Sequence, residues 1–116
     1  MYELNLKHSF SAAHKLENYK GACANLHGHN YKINIKIKTE ILVNDMVIDF
    51  KVLKQTIDDK FDHKYINEEV SFNPTAENIA KAIYDMVEFL LHIPSKKIEI
   101  TVWETDNASI KFTKTL

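Results

Sequence analysis

Three histidines and the only cysteine of this 116-residue chain lie between positions 14 and 29. His27 and His29 are two residues apart, so in an extended strand their imidazoles share one face, about 6.5–7 Å apart at Cα. Two such imidazoles can bind one metal ion, and Gly28 between them adds no bulk. A third nitrogen from His14 would leave the fourth tetrahedral position open, which is typical of catalytic zinc sites.

The same residues allow two other interpretations. A lone His-x-His pair often occurs on a surface strand without binding metal, and only His14 and Cys23 raise this pair above that background. A structural zinc site made of Cys23 with two or three histidines is the second interpretation. Structural sites usually use several cysteines and support domains poor in apolar residues. This chain is 45% hydrophobic, so a catalytic metal site is favoured.

Composition predicts a single domain, residues 1–116, in a reducing compartment. The net charge is −1, from 15 basic and 16 acidic residues, which gives no electrostatic reason to expect nucleic acid or an anionic membrane as partner. One cysteine cannot form an intramolecular disulfide. No apolar run approaches the roughly 20 residues of a membrane span, and the residues after Met1 do not resemble a signal peptide. We therefore expect a cytoplasmic protein.

Alternating apolar and polar residues predict four β-strands. These strands cover residues 2–10, 29–38, 97–104 and 109–113. Asn44-Asp45 is typical of a turn, and the apolar residues 46–48 after it predict a further short strand.

Apolar residues at helical spacing predict two amphipathic helices between the strand pairs. Asp49 is the expected N-cap of the first helix, whose buried side should carry Phe50, Leu53, Ile57 and Phe61. The second helix starts near Thr75 and ends at residues 92–94. The order ββααββ indicates an α+β fold, a four-stranded antiparallel sheet with two helices on one face. Because such a sheet has exposed edges, we expect copies to join edge to edge as a homo-oligomer.

Two positions break their local pattern. Glu104 continues the apolar face of strand 97–104, so its carboxylate is either solvated at a strand end or buried against a specific partner. A flat heterocycle with an aminopyrimidinone edge would supply two N–H donors to it. Asp62 and His63 follow the first helix. The carboxylate can orient the imidazole, or the pair can cap the helix and face water, and for a bare dipeptide the second is more common.

Five short motifs follow one another along the chain: Phe10-Ser11-Ala12-Ala13-His14, Cys23-x₃-His27-Gly28-His29-Asn30-Tyr31, Asp62-His63-x₂-Ile66-Asn67, Pro74-Thr75-Ala76-Glu77-Asn78 and Glu104-Thr105. Together they resemble the pterin synthase family that includes 6-pyruvoyl-tetrahydropterin synthase and 6-carboxy-tetrahydropterin synthase. The resemblance spans nearly the whole chain, and the order and separation of the motifs are more specific than any one of them.

The resemblance implies the tunnelling fold, in which ββααββ subunits join into a barrel. It implies a homohexamer of two stacked trimers with active sites at subunit interfaces. It also implies one zinc ion per subunit, with His14, His27 and His29 as its ligands.

The resemblance assigns catalytic roles to Cys23 as the thiol and to Asp62 and His63 as a second proton-transfer pair. It further implies contacts to the pterin, with Glu104 as the anchor and two residues near the pocket, Thr75 and Glu77. The implied substrate is 7,8-dihydroneopterin triphosphate.

The loop around the cysteine indicates the branch of the family. The three-residue gap between Cys23 and His27 is similar to that of bacterial 6-carboxy-tetrahydropterin synthases of the queuosine (7-deazaguanine) pathway, which release acetaldehyde and triphosphate. The alternative is the 6-pyruvoyl-forming branch, which generally has a longer insertion there. A third branch carries a glutamate near the cysteine, where this chain has only glycine and alanine. From another class, a zinc-binding oligomeric module without catalysis is also possible, although it would not need the full set of catalytic residues.

Overall fold

The computed structural model of the protein describes residues 1–94 and 96–114. Within them, the strands are β1 (Tyr2–His14), β2 (His27–Thr39), β3 (Lys64–Tyr65), β4 (Lys97–Thr105) and β5 (Ala108–Phe112). The helices are α1 (Phe50–Phe61), α2 (Ile66–Glu69) and α3 (Ala76–Leu90), with a 3₁₀ turn at Ala22–Ala24.

The strands form one mixed sheet in the order β3-β1-β2-β4-β5. The two predicted hairpins are present, and β1, β2, β4 and β5 pair antiparallel. The prediction of four strands was wrong in one respect, because β3 adds a fifth strand that pairs parallel with Ala12 and Ala13 of β1. A two-residue strand has too little alternation to be recognised in a sequence.

The β1–β2 hairpin is longer than predicted, and its extra residues carry the site. Its register runs without interruption from Tyr2 opposite Thr39 to His14 opposite His27. The prediction ended β1 at residue 10, yet alternate burial continues through Ala12 to His14.

One face of the sheet carries the hydrophobic core. Alternate residues of β2 from Tyr31 to Ile37 are almost completely buried, while Lys32 and Lys36 between them point to the opposite, polar face. Helix α1 packs on β1, and α3 packs on β4 and β5. Each fully buried isoleucine of this layer contributes about 1.5–3 kcal/mol. The two long helices lie on one face of the sheet, as predicted.

The predicted N-cap at Asp49 and the predicted start of the second helix near Thr75 are confirmed. Asp49 accepts a hydrogen bond from the Lys51 N–H at 2.9 Å and begins α1, and Thr75 Oγ1 accepts one from the Asn78 N–H at 3.1 Å and begins α3. Such caps satisfy N–H groups that have no partner inside the helix. Among the described residues, no helix is long and apolar enough to cross a membrane.

Three local predictions were wrong. The one-turn helix α2 is a third helix that was not predicted. Phe50 is 54% exposed rather than buried, because in the first turn of α1 it lies beyond the packed residues and lines a groove with Tyr2 and Met46. Residues 46–48 form no strand, since Val43 and Met46 make only an isolated bridge around the predicted turn.

Two sheet edges are open within the described part of the chain. On the side away from β2, only Ala12 and Ala13 of β1 are paired. Strand β5 has no neighbour beyond β4. Unpaired edges of this kind are able to pair with another chain.

Candidate metal centre and active site

The end of the β1–β2 hairpin brings three histidines together. His14 is the last residue of β1 and lies opposite His27, the first residue of β2. His29 projects from the same face because side chains alternate along a strand. The ring centroids are 4.5 Å (His14–His27), 4.8 Å (His27–His29) and 5.1 Å (His14–His29) apart. The three residues proposed from sequence as metal ligands are therefore neighbours.

Two backbone carbonyls fix the protonation of His14 and His27. His14 Nδ1 lies 2.8 Å from the Pro74 carbonyl oxygen, and His27 Nδ1 lies 2.7 Å from that of Asn25. A carbonyl oxygen only accepts hydrogen bonds, so both Nδ1 atoms donate and carry a proton. In the neutral rings both Nε2 atoms then present lone pairs to each other across 3.0 Å. Metal-binding histidines are typically held in this way, with the second ring nitrogen donating to a carbonyl.

Glu104 lies beside His29 in the same cluster. Its Oε1 is 3.3 Å from His29 Nε2, which is buried and makes no hydrogen bond within the described residues. Burial lowers the pKa of His29, and the nearby imidazoles of His14 and His27 lower it further, while the Glu104 charge opposes them. His29 is therefore neutral at neutral pH, the form that binds a metal ion.

The donor set fits a metal ion. One ligand atom from each of His14, His27, His29 and Glu104 lies within 4.8 Å of the others. Two nitrogens bound at about 2.0–2.1 Å to one tetrahedral zinc ion are about 3.3 Å apart, close to the His14–His27 separation. A cation among these atoms would compensate the opposed lone pairs and give the buried His29 nitrogen a partner. The cluster can therefore hold a metal ion through imidazole nitrogens.

Cys23 lies on the 3₁₀ turn between β1 and β2, outside the group of possible ligands found among the described residues. Gly21 begins this turn with a φ of 131°, which residues with a Cβ rarely adopt. The Cys23 carbonyl accepts a hydrogen bond from the Leu16 N–H at 2.9 Å, so the turn lies against the segment that follows His14. The Cys23 side chain is partly exposed.

Asp62 and His63 lie at the edge of β1 that faces away from β2. The Ser11 N–H donates to Asp62 Oδ1 at 3.0 Å, and the His63 N–H donates to the Ser11 carbonyl at 2.7 Å. Asp62 Oδ2 is 3.6 Å from His63 Nε2, and the His63 side chain is 83% exposed. The pair is thus anchored to the sheet. Within the described residues it makes no hydrogen bond or ion pair to the histidine cluster, although His63 and His29 line the same cavity.

The family described as 6-pyruvoyl tetrahydropterin synthase matches residues 3–115 of the sequence. The chain belongs to this family. The resemblance inferred from the sequence motifs is therefore confirmed.

Relatives and a solved structure agree with that membership. A putative 6-carboxy-5,6,7,8-tetrahydropterin synthase of Archaeoglobus fulgidus is 39% identical over 84 residues, which cover 70% of this chain and 71% of that protein. The 6-carboxy-5,6,7,8-tetrahydropterin synthase of Bacillus subtilis is 34% identical over 116 residues, covering 90% and 80%. The structure of Caenorhabditis elegans 6-pyruvoyl tetrahydropterin synthase superposes with a TM-score of 0.79 at 28% identity, covering 98% of this chain and 96% of that one.

The start of α3 places Thr75, a further predicted residue of this pterin synthase family member, next to the residue that holds His14. Pro74, whose carbonyl holds His14, is followed directly by Thr75, the N-cap of α3. Glu77 is exposed in the first turn of the helix. The contact of Thr75 and Glu77 with a pterin stays a prediction.

Sequence analysis did not identify the residues that support the histidines. Tyr31 is fully buried, and its ring centroid lies 5.8 Å from that of His14 and 5.4 Å from that of His29. Its hydroxyl has no hydrogen-bond partner among the described residues. Burial raises the pKa of Tyr31, and the charge of Glu104 raises it further, so the phenol stays protonated. Alternation along β2 indicated burial of this residue, but nothing in the sequence indicated an unpaired hydroxyl.

Two asparagines hold the segment that follows His14. Asn67 Oδ1 accepts from the Lys15 N–H, and Asn73 Oδ1 accepts from the Glu17 N–H, at 3.0 and 2.9 Å. The amide groups donate in return to the Lys15 and Glu17 carbonyls. Only Asn67 had a sequence signal, as the last residue of one motif. Leu16 lies between Lys15 and Glu17, and its N–H donates to the Cys23 carbonyl in the 3₁₀ turn.

Proposed function

We propose that this protein is a zinc-dependent 6-carboxy-5,6,7,8-tetrahydropterin synthase of the queuosine (7-deazaguanine) pathway. Its substrate is 7,8-dihydroneopterin triphosphate, which with one water yields 6-carboxy-5,6,7,8-tetrahydropterin, acetaldehyde and triphosphate. The observation that carries the proposal is the three-histidine cluster with its opposed Nε2 lone pairs in a member of this family. Relatives named for the carboxy product and the short gap between Cys23 and His27 support this branch.

His14, His27 and His29 would hold one zinc ion per subunit. When bound, zinc supplies a Lewis acid that polarises the side-chain hydroxyls of the substrate and makes the adjacent C–H bonds more acidic. The carbonyls of Pro74 and Asn25 keep two of the rings in the ligand tautomer. Burial keeps the third, His29, neutral by lowering its pKa.

Cys23 and the pair Asp62–His63 would move the protons. As thiolate, Cys23 removes a carbon-bound proton from the substrate side chain. His63, oriented by Asp62, delivers or accepts a proton on the other side of the substrate. The Ser11 N–H holds Asp62 Oδ1, which leaves Oδ2 directed to the imidazole. Cys23 and His63 lie on separate elements, so they can transfer protons on opposite faces of one substrate.

Glu104 would anchor the pterin. Its side chain is 28% exposed, so both carboxylate oxygens can accept N–H bonds from an aminopyrimidinone edge, a strong and directional pairing. Thr75 and Glu77 would border this pocket from the first turn of α3.

The working unit would be a cytoplasmic homohexamer of two trimers, each chain contributing one domain over residues 1–116. The open edges of β1 and β5 support edge-to-edge joining, which removes both unpaired edges. His63 lies at the β1 edge and is largely exposed within one subunit. Joining of the edges would cover it, so we place the active site between subunits.

The proposal is tested by incubating zinc-loaded protein with 7,8-dihydroneopterin triphosphate and analysing the products by mass spectrometry. We expect 6-carboxy-5,6,7,8-tetrahydropterin and acetaldehyde, and neither product from the Cys23→Ala protein with the same zinc content. A pyruvoyl product would move the protein to the other branch of the family. No turnover by zinc-loaded wild-type protein would favour a non-catalytic metal-binding module.

A further inference from the structure

A cavity of about 570 Å³ lies beside His63 at the end of the β1–β2 hairpin. Its floor includes Ala13 and Gly28, which lie opposite each other and leave this part of the polar sheet face without bulk. A Cβ at Gly28 would make only an ordinary contact, 3.6 Å from a backbone oxygen of β1. Packing therefore does not require glycine here, and its effect is to leave space above the sheet.

Asn30 presents hydrogen-bond donors to this cavity. The Ser11 hydroxyl donates to Asn30 Oδ1 at 2.7 Å, which fixes the orientation of the amide. Its Nδ2 has no partner within the described ranges and carries two N–H groups. Because Asn30 lines the cavity, these groups are available to a bound ligand.

Lys64 gives the same cavity a positive charge. It is exposed on β3, lines the cavity next to His63, and forms no ion pair with any described residue. No carboxylate side chain is among the described residues that line this cavity. Asp62 is the acid nearest to Lys64 in sequence. One of its oxygens accepts from the Ser11 N–H, and the other lies near His63. The cavity is therefore rich in donors and suited to an anion.

The larger cavity of the polar face differs in charge. It has a volume of about 690 Å³ and is lined by Lys7, Lys32 and Asp106, among others. Lys32 Nζ lies 2.8 Å from Asp106 Oδ1, so one of the two ammonium groups is already neutralised by a carboxylate in the same cavity.

We propose that the cavity beside His63 binds the triphosphate end of the substrate, with Lys64 and Asn30 as its specificity-determining residues. This inference rests on the proposed function, in which His63 transfers a proton on the side chain that carries the phosphates. Ammonium and amide N–H groups are good donors to phosphate oxygens. Since triphosphate is also the leaving group, the same donors stabilise the negative charge that develops when it departs.

The test compares the binding of 7,8-dihydroneopterin triphosphate with that of unphosphorylated 7,8-dihydroneopterin, using pterin fluorescence. Zinc-loaded Cys23→Ala protein serves as the background so that neither ligand turns over, and the zinc content is measured again afterwards. Lys64→Gln should weaken triphosphate binding roughly two- to fivefold, as expected for an exposed charge contact, and leave dihydroneopterin binding unchanged. Lys7→Gln, in the larger cavity, is the matched control and should change neither affinity.

Asn30→Asp is a nearly isosteric second variant. It keeps an oxygen for the Ser11 hydroxyl but replaces the two N–H donors by a charged acceptor, so triphosphate binding should fall by more than about tenfold. Loss of affinity in Lys7→Gln but not in Lys64→Gln would place the phosphates in the larger cavity. If Cys23→Ala protein without a second substitution binds 7,8-dihydroneopterin triphosphate and 7,8-dihydroneopterin equally well, the triphosphate subsite is rejected. The proposed pterin activity is not rejected by that result. Binding of neither ligand with zinc present would reject the proposed function as well.

Discussion

Asn67 binds both backbone groups of Lys15: its Oδ1 accepts from the N–H and its Nδ2 donates to the carbonyl, each at 3.0 Å. The next residue, Leu16, donates to the carbonyl of Cys23. One carboxamide therefore holds the segment after β1 that binds the turn of the predicted catalytic thiol. Asn67 itself lies in α2, more than 40 residues further along the chain.

Asn67→Ala should mobilise this turn without affecting the metal. Loss of two hydrogen bonds should lower the free energy of unfolding by about 1–2 kcal/mol. Amide hydrogen exchange over residues 15–26 should accelerate, and kcat should fall by about tenfold at unchanged zinc content, because the thiol is no longer held in place. Asn5→Ala is the control, since within the described residues the Asn5 side-chain amide donates only to Glu3 Oε1, on the protein surface. An unchanged kcat despite faster exchange would show that the turn does not need to be rigid.

The sequence predicted the parts of the site that depend on strand alternation. His27 and His29 were predicted to share a face because they are two residues apart in an extended strand. His14 lay beyond the predicted end of β1, and only the observed register places it opposite His27. Local chemistry likewise predicted the cap at Asp49, and the helical spacing of apolar residues predicted a helix start near Thr75.

The sequence could not predict contacts set by tertiary packing. Strand β3 spans two residues and pairs only because the Asp62–His63 turn is bound to Ser11, which is far away in sequence. The carbonyls that orient His14 and His27 come from backbone, which carries no residue-specific signal. Glu104 fitted either a solvated end or a buried partner, and only the fold shows that it lies beside His29.

His27→Ala should remove the metal. A site that loses one of three imidazoles is left with too few strong ligands, so zinc measured by atomic emission after gel filtration should fall well below one ion per chain. His92→Ala is the matched control, because His92 is exposed at the end of α3 and outside the cluster. Zinc at full occupancy in the His27 variant would remove this residue from the ligand set.

Chelation of zinc from wild-type protein should lower its Tm, since a ligand that binds only the folded state stabilises it.

Glu104→Gln should lower the pKa of His29 further in metal-free protein. The Glu104 charge favours the protonated imidazole, whereas burial and the two neighbouring imidazoles oppose protonation, so only the opposing effects remain in the variant. NMR titration of the histidine resonances measures this shift. Glu40→Gln is the control and should leave the titration unchanged, because Glu40 is exposed and follows the end of β2 opposite to His27. A pKa of His29 that rises in Glu104→Gln would contradict the electrostatic effect assigned to the Glu104 carboxylate at 3.3 Å.

Mixed oligomers should show whether Cys23 and His63 act across a subunit boundary. We expect Cys23→Ala and His63→Ala proteins to be inactive alone. When they are unfolded, mixed in equal amounts and refolded with zinc, about a quarter of the shared sites should contain both native residues. Activity should therefore return to about a quarter of the wild-type value. If both residues belong to the same chain, every site carries one lesion, and the mixture would stay inactive.

His63 occupies a backbone conformation that costs stability. Its φ of 56° lies in the left-handed region, which residues with a Cβ adopt at a cost of roughly 1–2 kcal/mol. Because glycine avoids this cost, His63→Gly should be more stable than His63→Ala by about 1 kcal/mol in urea unfolding at fixed protein concentration. At Lys111, an exposed strand residue without a positive φ, the order should reverse, with glycine less stable than alanine. Equal stability of the two His63 variants would mean that the turn relaxes, and that the N–H bond to the Ser11 carbonyl does not hold the imidazole in a strained position.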